Sequence, residues 1–173
     1  FSVSNYRSIT AAHSILLSNI TVLIGKNNEG KSNLLRALDA AMSLLRKHSI
    51  RASGARRYYA PYDFDYKWKR DFPVQLQQRR GVKNTTFRLE FALSEEEITA
   101  FRTEISVNLN GSLPLEIMIG PEEIPEFRVV KTGRGTKTLT ARSSQVAKFI
   151  AHHIDFNYIP AVRTDRETLN LIQ

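Results

Sequence analysis

Short apolar runs separated by turn residues make up most of the chain, and helical spacing replaces them in only a few places. Residues 1–9 hold one such run, and a second run, residues 20–24, ends at Gly25 and predicts a buried strand. After a glycine-bearing loop, apolar residues recur at three and four positions, at Leu34, Leu35, Leu38, Ala41, Met42 and Leu45. This spacing predicts an amphipathic helix from Ser32, so the predicted order is strand, loop, helix.

The second half of the chain has the alternation typical of antiparallel strands. Residues 86–93 (TFRLEFAL) predict a half-buried strand, and Ser94 with Glu97 forms a capping box that opens a short helix toward Phe101. Asn110-Gly111 predicts a hairpin turn between SVNL and LPLEIMI, and residues 133–135 predict another between FRVVK and TKTLT.

The last part of the chain predicts one helix and one strand. We expect Ser143 or Ser144 to cap a helix that continues through Ile150. Phe156, Tyr158 and Ile159 then predict a final short strand.

The loop after the first predicted buried strand matches the pattern G-x-x-x-x-G-K-S/T in full, from Gly25 to Ser32. Its glycines allow the backbone to curl around a phosphate with N–H groups pointing inward, and the helix adds the positive end of its dipole. Lys31 can then reach the β- and γ-phosphates, and the Ser32 hydroxyl can ligate Mg²⁺. The motif therefore predicts a site for ATP and Mg²⁺ with Lys31 as the catalytic residue and Ser32 as the metal ligand.

Charge is concentrated in one stretch of the chain. Residues 46–83 hold eleven basic and three acidic residues, and their difference of +8 equals the net charge of the whole chain, so the rest of the chain is close to neutral. Seven aromatic residues lie among them, at Tyr58, Tyr59, Tyr62, Phe64, Tyr66, Trp68 and Phe72. We interpret this stretch as an ordered insertion or long loop that binds nucleic acid, with DNA favoured, through Arg56, Arg57, Lys69 and Arg70. A protein-partner surface, a solvated face and a local core beneath the loop remain alternatives.

Composition excludes several other classes of protein. The chain has no cysteine, which rules out disulfide frameworks, thiolate zinc sites and cysteine nucleophiles. No apolar run is long enough to span a membrane, and residues 1–10 lack the plan of a signal peptide. We therefore expect a cytoplasmic protein without a membrane partner.

Three segments together resemble the ATPase heads of the SMC, RecF and OLD (overcoming lysogenization defect) families, with OLD the most similar. The first is GKNNEGKSNLLRAL around the phosphate-binding loop, and the second is SNYRSI at residues 4–9. The third is YIPAVR at residues 158–163, which is similar to a segment common in OLD-type ATPases. In that group the arginine of the second segment, here Arg7, lies close to the nucleotide.

The resemblance implies an α/β fold, namely a P-loop NTPase that forms the first lobe of an ABC-type ATPase head with an antiparallel sheet beside the P-loop strand and helix. Residues 1–173 would be a single ATP-binding lobe with residues 46–83 as an insertion. Around the phosphates it places Gly25, Asn27, Asn28, Glu29, Gly30, Lys31, Ser32 and Asn33. It places Arg7 near the base or ribose, although an arginine beside a strand can equally be a salt-bridged surface residue. Ala161 stands where these families usually have a glutamine.

Two motifs of such an ATPase are not found in the sequence. Asp155 follows no apolar run, LEIMIG ends without a carboxylate, and there is no Ser-Gly-Gly signature segment, so neither a Walker B strand nor a signature motif is present. We expect these parts to lie on a second lobe of a larger ATPase. The chain alone should then bind ATP and hydrolyse it poorly or not at all.

Three functions are compatible with these features. The first is an ATPase head that forms a homodimer or higher oligomer through ATP and is coupled to nucleic-acid processing, with an attached nuclease or toxin effector in defence against phage. The second is a scaffold or sensor subunit in which ATP binding stabilises assembly without hydrolysis. The third is an unrelated P-loop enzyme such as a small-molecule kinase, which the antiparallel strands and the basic insertion make a poorer match.

Overall fold

The computed structural model describes residues 1–12, 14–26, 30–52, 65–130 and 135–159. They form one antiparallel sheet of five strands with helices packed against it. The strands are β1 Ser2–Tyr6, β2 Ile9–Ala12, β3 Thr85–Ala92, β4 Ser112–Ile119 and β5 Pro125–Val129. Their order across the sheet is β2-β1-β3-β4-β5, so β1 pairs with its hairpin neighbour on one side and with β3 on the other.

Alternation along β3 gives the sheet one apolar and one polar face. Phe87 and Leu89 are buried, whereas Arg88 and Glu90 are exposed. Arg88 lies directly opposite Glu116 on β4, and its Nε donates to the Glu116 carboxylate at 2.7 Å. The sheet therefore buries one face in the core and leaves the other to solvent, as antiparallel sheets commonly do.

Within the described ranges, six helices accompany the sheet: α1 Lys31–Ala52, α2 Trp68–Asp71, α3 Val74–Gln77, α4 Glu95–Ile105, α5 Thr136–Ala141 and α6 Ser143–His153. Helices α1 and α6 pack on each other, and their apolar side chains join those of the sheet in a single core. The predicted helical spacing is confirmed, since Ala41, Met42 and Leu45 are buried, whereas Leu35 near the start of α1 is half-exposed. None of the described helices has the length and hydropathy that a membrane span requires.

The predictions for β3 and the helix after it are confirmed. Ser94 Oγ accepts a hydrogen bond from the Glu97 backbone nitrogen at 3.2 Å, and Glu97 Oε2 accepts from the Ser94 backbone nitrogen at 2.8 Å. The hydrogen bond from the Ser94 backbone lowers the pKa of Glu97. This reciprocal box satisfies two donors at the start of α4.

The hairpin predicted at Asn110-Gly111 is wrong. Residues 106–109 contain no strand and instead connect α4 to β4, with Ser106 ending the helix at a φ of 58° and Leu109 buried. The hairpin of this region joins β4 to β5 through residues 120–124, where the backbone nitrogen of Glu123 donates to the Gly120 carbonyl at 3.0 Å. Burial of Leu109 thus outweighs the local turn signal.

The strand predicted for TKTLT is wrong, whereas FRVVK contributes to β5 as expected. TKTLT lies in α5, which follows Gly135 at a φ of 103°. Residues 133 and 134 of the predicted turn lie outside the described part of the chain. Leu139 is buried by the helical conformation, and Thr140 Oγ1 accepts from the Val129 backbone nitrogen at 3.3 Å. These tertiary contacts override the β propensity of the threonines.

Helix α6 is confirmed, but the strand predicted at residues 156–159 is wrong. The cap of α6 is Arg142, which makes no side-chain capping hydrogen bond, so neither predicted serine caps the helix. Ser143 Oγ instead lies 3.1 Å from His48 Nε2. Residues 154–159 leave the helix without pairing to any described strand, and Phe156 packs against the core while Ile159 is exposed.

Candidate nucleotide-binding site

The segment that leads into the phosphate-binding loop differs from its prediction. Residues 20–24 form no strand, and Ile20 and Ile24 are 83% and 91% exposed. The segment is joined to the sheet near its start, where Phe1 and Ile15 exchange backbone hydrogen bonds of 2.7 and 2.8 Å. No described strand lies beside residues 20–24, so their backbone groups have no ladder partner and their side chains no apolar surface to pack on.

The second half of the loop has the conformation that the motif requires. Gly30 has a φ of 92°, a left-handed conformation that favours glycine, and its carbonyl accepts the first helical hydrogen bond from Leu34 at 2.9 Å. Helix α1 accordingly begins at Lys31, one residue before the start that the spacing predicts. Asn27, Asn28 and Glu29 of the motif lie outside the described residues.

The Lys31 side chain reaches back to the start of the loop. Its Nζ donates to the carbonyl oxygens of Gly25 and Lys26, at 2.5 Å each. The first turn of α1 contains no acidic residue, and Ser32 in that turn is exposed. The Lys31 ammonium group and a helix N-terminus without carboxylates fit a nucleotide phosphate, and the exposed Ser32 hydroxyl fits as a ligand of Mg²⁺.

The turn between β1 and β2 brings Arg7 and Ser8 beside this loop. Ser8 Oγ accepts from Asn33 Nδ2 at 2.8 Å and lies 3.7 Å from the position a Cβ on Gly30 would occupy. Arg7 adopts a φ of 51°, which is unusual for a residue with a side chain, and its guanidinium carbon lies 5.4 Å from the centroid of the Tyr6 ring. The resemblance-based placement of Arg7 thus remains a prediction, but the turn that carries Arg7 does contact the P-loop helix.

Arg7 is salt-bridged to Asp71, a residue that sequence reasoning missed. Arg7 Nε lies 2.9 Å from Asp71 Oδ1, and the Arg7 backbone nitrogen donates to the Asp71 carbonyl at 2.6 Å. The Asp71 carboxylate also accepts from Arg70 Nη2 at 2.6 Å and from the Lys67 backbone nitrogen at 3.0 Å. Because Arg7 and Asp71 are 64 positions apart in the sequence, no local pattern could have identified the pair.

The electrostatics of Asp71 follow from these donors. Its side chain is 0% exposed, and burial alone would raise its pKa. Hydrogen bonds from Arg70, the Lys67 backbone and Arg7 outweigh that effect, so the pKa of Asp71 is lowered. The carboxylate is therefore ionised at neutral pH and carries a fixed negative charge beneath Arg7.

The described part of the basic insertion is packed against the sheet. Tyr66 and Phe72 are buried, and Trp68 stacks on Phe72 with its Nε1 donating to the Lys83 carbonyl at 2.8 Å. These aromatic rings belong to the local core, which was one of the alternatives for this stretch. Among the predicted nucleic-acid contacts, Lys69 is exposed and Arg70 is held by Asp71, while Arg56 and Arg57 lie outside the described residues.

The third segment of the family resemblance is described only in part. Tyr158 is half-buried, and residues 160–163, together with Ala161, lie outside the described residues.

The fold and the loop together define an α/β P-loop NTPase domain. The model of the AAA ATPase domain family matches residues 1–167, and the chain therefore belongs to that family. A solved structure from work on ATP-driven dimerization and DNA-stimulated activation of SMC ATPases is similar, with a TM-score of 0.52 and 12% identity over 99% of this chain and 88% of that chain. This likeness confirms the predicted ABC-type head fold. No curated protein matches the chain.

Proposed function

We propose that this chain is the first lobe of an OLD-like, ABC-type ATPase head that binds ATP with Mg²⁺ and acts on nucleic acid. The observation that carries the proposal is the loop itself, in which Gly30 has left-handed backbone and Lys31 Nζ is drawn toward the carbonyls of Gly25 and Lys26. In this motif the lysine and the backbone N–H groups of the loop hold nucleotide phosphates. Family membership supports ATPase chemistry in the same site.

Each residue of the loop has a role in this proposal. Backbone N–H groups from residues 27–33 surround the phosphates, Lys31 contributes its positive charge, and the Ser32 hydroxyl is a hard oxygen ligand for Mg²⁺. Bound Mg²⁺ supplies neutralisation of phosphate charge. Arg7 contributes a second cation from the β1–β2 turn.

We further propose that a second lobe completes the site. The support is the exposed apolar segment before the loop, where Leu16, Ile20, Val22 and Ile24 are more than two-thirds exposed. A strand from a second lobe would pair with this segment and cover its side chains, and the same lobe would carry the Walker B carboxylate and the signature motif. The chain alone is then expected to hydrolyse ATP poorly or not at all.

Nucleic-acid coupling and dimerisation have separate support. The similar SMC structure comes from a study of ATP-driven dimerization and DNA-stimulated activation in those proteins, and residues 46–83 here are strongly basic. The YIPAVR segment supports an OLD-like protein with a nuclease or toxin effector that defends against phage. A scaffold or sensor that binds ATP without turnover is the second candidate, since neither catalytic motif beyond the P-loop is found in this sequence.

ATP binding in the presence of Mg²⁺, measured by calorimetry on the full-length protein, tests the site. We expect Lys31→Ala to weaken ATP binding by about tenfold to a hundredfold, because a charge-assisted contact to phosphate is lost. Lys69→Ala, which removes an exposed lysine outside the loop, is the matched control and should leave the affinity unchanged. Wild-type affinity in Lys31→Ala would refute the nucleotide site.

ATP hydrolysis distinguishes the two candidate functions. The ATPase proposal expects turnover by the full-length protein and little by residues 1–173, whereas the scaffold candidate expects ATP binding without turnover in both.

DNA affinity should fall with salt and with combined charge reversal of Arg56, Arg57 and Lys69. Arg70 is left unchanged because it is bonded to Asp71. DNA affinity that survives this reversal would exclude the insertion as the contact surface.

A further inference from the structure

The geometry points to Asp71 as a positioning residue for the nucleotide site, which acts by holding Arg7 with one edge of its guanidinium directed away from the carboxylate and available to a nucleotide phosphate. The inference rests on the proposed ATP site and adds a residue that lies outside the P-loop and outside every motif of the sequence. It also gives part of the insertion a role in that site.

The first step is that Arg7 is fixed from two sides. Asp71 accepts from the Arg7 side chain at Nε and from the Arg7 backbone nitrogen, at 2.9 and 2.6 Å. The left-handed φ of 51° at Arg7 is a conformation that persists when surrounding contacts specify it, and these two hydrogen bonds do so. Asp71 therefore sets both the backbone and the direction of the side chain.

The second step is that the guanidinium keeps unused donors. A guanidinium has five N–H donors, and Asp71 engages the one at Nε. Among the described residues, none accepts a hydrogen bond from the terminal nitrogens of Arg7, and the side chain is 20% exposed. Two adjacent terminal nitrogens match the geometry of a phosphate group, which arginine binds bidentately.

The third step is that the β1–β2 turn, which carries Arg7, contacts the P-loop helix. Arg7 is followed by Ser8, whose hydroxyl is bonded to Asn33 in the first turn of α1. Gly30 lies against the same hydroxyl. The turn that carries Arg7 is thus attached to the end of the P-loop, and Arg7 lies one residue from the contact between Ser8 and the P-loop helix.

The fourth step is that Asp71 is itself held rigidly. The Lys67 backbone nitrogen donates to its carboxylate, and the neighbouring Trp68 is fixed by Glu123 Oε1 at its backbone nitrogen and by the Lys83 carbonyl at its ring nitrogen, at 2.8 Å each. Asp71 is fully buried, whereas Arg70 beside it is half-exposed. A carboxylate anchored in this way can orient Arg7 without moving toward it.

The test is a double-mutant cycle on ATP affinity in the full-length protein. Removing a negative charge near bound phosphates would by itself strengthen ATP binding, so a loss of affinity reports lost orientation. We expect Asp71→Asn to weaken binding about threefold to tenfold and Arg7→Ala about tenfold, and we expect Asp71→Asn to change the affinity less than about twofold when Arg7 is already alanine. Unchanged or tighter binding in Asp71→Asn, or an equal loss in both backgrounds, overturns the inference.

Two further variants guard against misfolding and against a general effect of ion-pair loss. Arg7→Lys leaves Asp71 intact and should lose nearly as much affinity as Arg7→Ala, because one ammonium cannot bond Asp71 and also reach phosphate. Wild-type affinity in Arg7→Lys would overturn the inference even if Asp71→Asn failed to fold. Glu116→Gln breaks the Arg88–Glu116 pair on the polar face of the sheet and should leave the affinity unchanged. If Lys31→Ala binds like wild type, the proposed ATP site itself is wrong, whatever the effect of Asp71.

Discussion

Strand β3 and the segment of residues 16–24 both carry closely spaced apolar side chains, yet one is buried and the other is exposed. Phe87 in β3 is 0% exposed because β1 and β4 pair with the strand and helix α1 covers its apolar face. Ile24 has no described neighbour of either kind and is 91% exposed. The difference shows that an apolar run specifies the need for a partner, while the identity of the partner comes from the rest of the fold.

The largest expected effect is a loss of stability on substitution in the buried strand β3. Phe87→Ala should lower the free energy of unfolding of the 173-residue chain by about 3–5 kcal/mol, because it leaves a cavity next to Tyr6. Ile24→Ala in the same chain should change it by less than about 0.5 kcal/mol, because the side chain is already in water. Urea denaturation of both variants measures the contrast.

In the full-length protein, substitution of Ile24 tests whether a second lobe covers this segment. If a second lobe covers the segment, Ile24→Ala should cost about 2 kcal/mol or more there, as for a core isoleucine. An equally small effect in both proteins would contradict the second-lobe proposal.

Asp71 connects the insertion to the β1–β2 turn beside the phosphate-binding loop. Its folded-state pKa is lowered, so its ionised form stabilises the protein above the unfolded pKa of about 3.9, and this contribution is lost as the pH falls through the lower folded pKa. Asp71→Asn should therefore reduce the free energy of unfolding by about 2 kcal/mol at pH 7, with a smaller difference below about pH 4. Urea titrations from pH 3 to 7 measure this, and a difference independent of pH would contradict the assignment.

The smallest expected effect is on stability, from substitutions at the N-termini of helices α1 and α4. Helix α4 has a capping box made by Ser94 and Glu97, whereas the first turn of α1 has no acidic residue. Ser94→Ala should cost about 1 kcal/mol of stability without changing ATP affinity. Ser32→Ala should do the reverse, with less than about 0.5 kcal/mol of stability lost but weaker ATP binding in Mg²⁺. Thermal unfolding and calorimetry on both variants decide this, and the contrast fails if Ser32→Ala is the more destabilising of the two.

Features encoded by neighbouring residues were predictable from the sequence. The capping box at Ser94, the alternation of β3 and the start of α1 at Lys31 each depend on side chains within a few positions of one another. Features that depend on distant contacts were not. TKTLT has strand-forming threonines but becomes helical because Leu139 reaches the core, and Asp71 finds Arg7 across 64 residues.

The position of β1 in the sheet has a consequence for how the protein is made. β1 lies between β2 and β3, and its Asn5 carbonyl accepts from Thr85 Oγ1 across 80 residues. During synthesis the phosphate-binding loop leaves the ribosome before residues 71 and 85, so the turn beside it lacks its hydrogen bonds until those residues have followed. Until then the loop lies next to a turn that is not yet held by Asp71 and β3. A nascent chain cut short before β3 should therefore not retain nucleotide.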